Sequence, residues 1–284
     1  MNKSKNIIWI ASYPKSGNTW MRSLLTALIY TNDGLFNFDL LPKIDQFEKK
    51  INFAFIKRKL KSADFDNLDK MEIVSKYWHE AQERLDYSDL IFFKTHSSNY
   101  NHKNLKYANL NKTRGCIYLV RDPRDIAISY SKFMGCSIDE TIDYMLAPSR
   151  QIWNQEKTVG IIISRWDFHI ASWINLDTPK IFIRYEDLLY NTKKVLKELI
   201  QFIQGPLKIK IELNEKKIEN IINTTSFDLL KNKENKDGFR EASKNSPFFR
   251  EGKSMQWKKI LSQDQVNKIE VNLEKYMKKF NYIL

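Results

Sequence analysis

The sequence predicts an α/β fold: a central, mostly parallel β-sheet flanked by helices, carried as one domain over residues 1–284. Three observations predict it. Short apolar, β-rich runs alternate with segments of helical periodicity. The runs are apolar throughout, as strands covered on both faces are. Two strand-to-helix junctions, after Ala11 and after Val120, carry polar and basic residues at the strand ends where such sheets bind ligands.

The elements follow in order. Residues 7–11, Ile-Ile-Trp-Ile-Ala, read as a buried strand. Trp20, Leu24, Ala27 and Leu28 then stand at helical spacing within 19–29. A polar helical stretch over 72–85 leads into a second strand, 90–93. The third strand, 115–120, runs into Arg121-Asp122-Pro123-Arg124 and a helix over 125–133. Pro123 suits the first turn of that helix, where a missing N–H costs nothing. A fourth strand occupies 180–184, and a helix over 192–203 stops at Gly205-Pro206. Residues 231–257 are polar with little periodicity and read as a flexible lid loop. An amphipathic helix over 263–280 closes the chain.

Composition narrows the function classes. Lys plus Arg number 47 against 34 Asp plus Glu, a formal charge of +13 that favours anionic partners. The basic residues are spread along the chain rather than gathered in a block, which argues against a nucleic-acid-binding tail. Two cysteines, Cys116 and Cys136, are too few for a disulfide scaffold or a structural zinc site. The apolar stretch at 7–11 is too short for a secretory leader, and nothing approaches the roughly 20 apolar residues of a membrane span. The expectation is a cytoplasmic protein without an integral membrane segment.

The first junction is Ser12-Tyr13-Pro14-Lys15-Ser16-Gly17-Asn18-Thr19-Trp20. A helix starting near Asn18 points unpaired N–H groups into this loop and favours an anion there. Gly17 lets backbone approach a phosphate, Ser16, Asn18 and Thr19 add side-chain donors, and Lys15 adds a full charge. This is not G-x-x-x-x-G-K-[ST]: there is one glycine, and the lysine precedes it. The second junction offers Arg121, a side chain able to grip phosphate through two parallel hydrogen bonds, with Ser129 eight residues on. Asp122 and Asp125 read as helix caps. Lys94-Thr95-His96 follows the second strand. His79, His102 and His169 read as structural, whereas His96 stands at the ligand edge beside a lysine.

The string Tyr13–Trp20 closely resembles the 5′-phosphosulfate loop of the cytosolic-type sulfotransferases, which use 3′-phosphoadenosine 5′-phosphosulfate (PAPS) as donor. Arg121 and Ser129 resemble that family's 3′-phosphate motif. Lys94-Thr95-His96 resembles its Lys-Thr-His, whose histidine is the general base. Thr225-Ser226-Phe227, Tyr185 and Trp20 resemble its adenine contacts. Phe249-Arg250-Glu251-Gly252, with Trp257-Lys258 behind, resembles its lid over the donor. The matches run from residue 12 to 258 in family order.

The resemblance implies a P-loop-NTPase-like sulfotransferase fold. It implies in-line transfer of a sulfuryl group to an acceptor hydroxyl, with release of 3′,5′-bisphosphoadenosine (PAP) and no metal. His96 takes the acceptor proton, Lys15 stabilises the leaving oxygen, Lys94 the moving sulfuryl oxygens, and Ser129 restrains Lys15. The chain departs from the family at Asn18, often Thr; at Glu251, where many members are basic; and at Met255, where they have a second glycine. The Glu251 departure removes a side-chain contact to the 3′-phosphate.

The weighed alternatives are a P-loop-type small-molecule kinase, which needs Mg²⁺ and a lysine after paired glycines, and a charge-driven binder of nucleic acid or acidic membranes. The acceptor, whether a phenol, a lipid or polyketide alcohol, or a sugar, is left open. So is the oligomeric state, because the dimer motif of the animal members is not found near the C-terminus. Acceptor-lining segments are expected within 35–62, 97–110, 137–158 and 231–246, with Phe36, Phe38, Trp153 and Phe239 as aromatic candidates.

Overall fold

Strand β1, Ile7–Ser12, is buried along its whole length and forms the middle of a five-stranded sheet. The computed structural model describes residues 5–59, 65–85, 90–102, 105–152, 157–239, 241–242 and 247–284. The other strands are β2 (Asp45–Gln46), β3 (Ile91–Thr95), β4 (Thr113–Val120) and β5 (Lys180–Arg184), in spatial order β2-β3-β1-β4-β5. Every pairing in this sheet is parallel, with Ala11 opposite Thr95 on one side and Tyr118 on the other. Parallel pairing needs crossovers, and helices supply most of them.

The period of two along β1 divides the core. Ile7, Trp9 and Ala11 join one apolar cluster and Ile8 and Ile10 the other. Over the first face pack α2 (Pro123–Met134), α3 (Ile138–Leu146), α4 (Trp166–Ile174) and the C-terminal α9 (Gln263–Lys279). Over the second pack α1 (Asn18–Tyr30), α6 (Thr192–Gln204), α7 (Glu215–Thr224) and α8 (Phe227–Asp237), while the short α5 (Tyr185–Tyr190) continues directly from β5. Full burial of each aliphatic side chain contributes about 1.5–3 kcal/mol relative to exposure. Trp9 reaches across its face to edge-pack on Phe47 at 5.3 Å between ring centroids, and donates its indole N–H to Thr113.

The structure departs from the sequence reading in three places. The stretch 72–85 is not one helix but Met71–Val74, a 3₁₀ turn Ser75–Tyr77, and Trp78–Arg84. The tightened turn lets neighbouring Tyr77 and Trp78 both reach the core. The segment from 231 is not irregular throughout, because α8 continues to Asp237 and stops at Gly238, φ 73°. Leu230 and Glu234, one turn apart, are both buried and hold that helix in place. β2 was not expected; at two residues it is too short to announce itself. Residue 240 and residues 243–246 of the expected lid, and Trp153, lie outside the described residues.

Candidate active site

The carboxyl ends of β1, β3 and β4 open on one mouth, and each delivers one of the motifs. β1 ends in the loop 13–17 and the start of α1. Gly17 precedes α1 at φ 93°, and no side chain caps the helix. The first intrahelical bond runs from Met21 N–H to Gly17 C=O, so the N–H groups of Asn18, Thr19 and Trp20 have no partner within the helix. No acidic residue stands in the first turn. Two independent facts fix glycine at 17: the left-handed φ, and a Cβ there would meet Tyr185 Cδ2 at 2.8 Å. Lys15 is also left-handed, at φ 66°.

Lys15 Nζ lies 4.4 Å from the ring centroids of Phe133 and of Phe248, between the two. Burial first, then the charges of Arg121, Lys94 and Arg250, lower its pKa to about 8. The hydrogen bonds of the described residues include none between Ser129 and Lys15. Ser129 stands half-buried on α2, and the cation is held by the two rings instead. The Ser16 hydroxyl is buried with no hydrogen-bond partner among the described residues. Asn18 differs from its expected role: its amide N–H groups go to Ile10 C=O at 3.1 Å and to the Ser12 hydroxyl at 3.1 Å. That amide secures the end of β1 rather than donating toward a ligand.

β3 brings Lys94, Thr95 and His96 alongside. His96 Nδ1 stands 2.9 Å from Ser12 C=O, and a carbonyl can only accept, so Nδ1 carries the proton and Nε2 the lone pair. Burial and the neighbouring Lys94 charge lower the imidazole pKa to about 3, so it is neutral. Its backbone carbonyl accepts from Nε2–H of buried His169, whose Nδ1 in turn accepts from the Tyr118 hydroxyl at 2.8 Å. The structural role read for His169 is therefore that of a prop under His96. Thr95 bonds buried Glu48, which also accepts from Tyr107 at 2.8 Å.

β4 delivers Arg121. Its guanidinium lies over the Tyr185 ring at 4.1 Å and donates to Lys15 C=O at 2.9 Å and Lys253 C=O at 3.2 Å. It thus links the first loop to the lid, and its buried Nε has no hydrogen-bond partner among the described residues. Of the two aspartates read as caps, Asp122 does cap α2, accepting from Arg124 N–H. Asp125 does not: its carboxylate accepts from Met255 N–H at 2.7 Å and Trp257 N–H at 3.1 Å, pinning the lid to α2.

The aromatic contacts converge. Trp20 donates to Thr225 C=O at 2.8 Å and meets Tyr185 and Phe227 edge-on, at 6.0 and 5.7 Å. Ser226 is the residue before α8, and Phe227 its first. Gly252 lies so close that a Cβ there would stand 2.3 Å from Phe227 Cδ1. Phe249 is buried against Phe227 and Phe239. Arg250 and Lys253 both face Glu251, at 3.5 and 3.8 Å, so the departure at 251 is absorbed within the lid. Met255 keeps the left-handed backbone, φ 59°, that suits the glycine of the family pattern.

Sequence reasoning missed three residues here. Glu234 on α8 accepts from Phe248 N–H and Phe249 N–H, each at 2.7 Å. Arg22 is buried on α1, and Glu241 in the lid reaches Arg22 at 2.7 Å, Lys94 at 3.1 Å and Thr19 Oγ1 at 3.2 Å. None sits in a local motif; a buried arginine on the apolar face of α1 was the one available signal.

An uncapped helix start, a lysine in a strained loop, a second basic junction and an aromatic cleft define a class: enzymes that hold a phosphorylated nucleotide at the carboxyl edge of a parallel sheet. The particular family follows from comparison. Residues 5–281 match the model of the sulfotransferase domain, and the chain belongs to that family. It is 25% identical over 275 residues to flavonol 3-sulfotransferase of Flaveria bidentis, covering 93% of this chain and 80% of that one. It is 26% identical over 283 residues to sulfotransferase 1B1 of Canis lupus familiaris, covering 95% and 83%. Its fold matches mouse sulfotransferase SULT7A1 complexed with PAP at a TM-score of 0.60 and 19% identity, over 98% of this chain and 85% of that one. The family assignment leaves the kinase alternative without support.

The described residues fit a bisphosphorylated donor. The uncapped α1 start with the orphaned Ser16 hydroxyl suits one anionic group, and the orphaned Arg121 Nε suits a second. No group of three or more His, Cys, Asp or Glu suited to a metal occurs among the described residues. No helix among them is long and apolar enough to cross a membrane.

Proposed function

We propose that this sulfotransferase moves the sulfuryl group of PAPS onto the hydroxyl of a small-molecule acceptor, with His96 as general base. The observation that carries the reading is the meeting of three strand ends, which sets Lys15, His96 and Arg121 around one mouth. The donor's 5′-phosphosulfate belongs at the α1 start, with Lys15 and Ser16. Its 3′-phosphate belongs near Arg121 and Ser129. Its adenine belongs among Trp20, Tyr185, Phe227 and Thr225–Ser226, beneath the lid residues Phe249–Gly252.

The acceptor oxygen attacks sulfur in line while the bond from sulfur to the 5′-phosphate oxygen breaks. The acceptor proton passes to His96 Nε2, and the electron pair of the broken bond leaves with PAP, stabilised by Lys15. Lys94 faces the sulfuryl oxygens. Burial and the Lys94 charge weaken His96 as a base in the donor-free protein. Donor charge offsets Lys94, so the base strengthens when the donor is in place. The flavonol named for one relative supports an acceptor of small-molecule size. Two free thiols, Cys116 among them buried, suit the reducing cytoplasm.

The test is His96→Ala assayed with PAPS and an acceptor panel. Turnover is expected to fall roughly 10²–10⁴-fold while PAP binding, followed by calorimetry, holds within a few-fold. Near-full turnover in the variant removes His96 from this role. Failure of the wild-type protein to bind PAP removes the donor assignment.

A further inference from the structure

The Glu241 carboxylate lies in direct contact with Lys94, a cation of the donor mouth, and with the first turns of α1. One of its oxygens meets Lys94 Nζ at 3.1 Å and Thr19 Oγ1 at 3.2 Å, and the other meets Arg22 Nη1 at 2.7 Å. Two cations and a hydroxyl thus converge on a small anion that presents negative oxygens. A sulfuryl group likewise presents negative oxygens, three about a tetrahedral sulfur. Burial alone raises the Glu241 carboxyl, but Lys94 and Arg22 overcome it and hold the group well below the usual carboxylate range. It is therefore ionised at any working pH.

We propose that Glu241 is an internal surrogate for the sulfuryl group and sets the site's preference between PAPS and PAP. The inference rests on the donor assignment above. When the site is empty or holds PAP, the carboxylate keeps Lys94, Arg22 and Thr19 satisfied. A sulfuryl group entering with PAPS must displace it from Lys94. PAP lacks that group and binds with Glu241 in place. Arg22 does not depend on the carboxylate for its position, because Nε and Nη2 donate to Ile44 C=O at 2.9 Å and Leu41 C=O at 3.1 Å.

Calorimetric titration of PAPS and PAP into the wild-type protein, Glu241→Gln and Glu241→Ala tests this without turnover. Removing a negative charge favours both anions, so the readout is the ratio of the two affinities. Both variants are expected to shift that ratio toward PAPS by ~10-fold or more, the equivalent of one competing ion pair. A ratio unchanged within about 2-fold, while PAP still binds, overturns the surrogate role and leaves the donor assignment standing. Binding of neither nucleotide by the wild-type protein overturns both.

Discussion

Lys15 carries two costs at once. Its backbone is left-handed, and its part-buried ammonium sits against the rings of Phe133 and Phe248. Such strain is tolerated where surrounding structure enforces it, commonly at a site of function. With its pKa lowered to about 8 by burial and by Arg121, the group is part neutral just above neutrality. An arriving phosphosulfate favours the charged form and raises that pKa, so binding takes up a proton above pH 8. Donor affinity should weaken up to about 10-fold per pH unit between pH 8.5 and the value reached in the complex, with proton uptake visible as a buffer-dependent binding enthalpy. A flat affinity from pH 7 to 9.5 rules this linkage out. At this scale the sequence was legible wherever the chemistry is contiguous: Lys15–Trp20, Lys94–His96 and Arg121 each announce themselves in one short string. Glu241 was not, because its partner Thr19 stands 222 positions away and only folding reveals the pair.

The lid is held at both ends by carboxylates on neighbouring helices. Glu234 of α8 receives Phe248 and Phe249, and Asp125 of α2 receives Met255 and Trp257. Glu234→Gln leaves one buried N–H facing an amide NH₂ instead of an acceptor. That should cost about 1–3 kcal/mol in urea unfolding and loosen Phe249–Gly252 over the nucleotide, raising the PAP dissociation constant. Unchanged stability and PAP affinity together refute the clamp. The element boundaries show why this device escaped the sequence. The first turns of α1 and α2 were legible from Gly17 and Pro123, residues with one backbone use each. The polar face of α8 resembled a loop, since only Leu230 and Glu234 of the helix are fully buried and one of them is an acid.

Two neutral imidazoles, His96 and His169, lie together beside the ends of β1 and β3. Burial lowers His169 to about 4, and burial with Lys94 lowers His96 to about 3. Both folded values lie below the unfolded one near 6.5, so the unfolded chain binds more protons on acidification. Their contribution is complete above pH 6.5 and is lost as pH falls toward those lower values. Each should cost about 2 kcal/mol of unfolding free energy between pH 7 and pH 5, measured by urea titration. A pH-independent unfolding free energy over that range contradicts the buried neutral state. The order of the large elements was legible because the apolar runs are long enough to show their period. β2 and the broken helix at 71–84 were not, since their form is set by what they pack on. The chain leaves Glu234 C=O at Gly238 N–H and returns to the Glu234 carboxylate at Phe248 N–H, with Glu241 between. Glu241 therefore meets Lys94 as a tethered ligand, at an effective concentration of ~mM or more. On the proposed donor assignment, traces of free inorganic sulfate are not expected to outcompete it, whereas a nucleotide anchored at its base and 3′-phosphate would bring a tether of its own. The mouth would then select its anion by avidity rather than by charge alone.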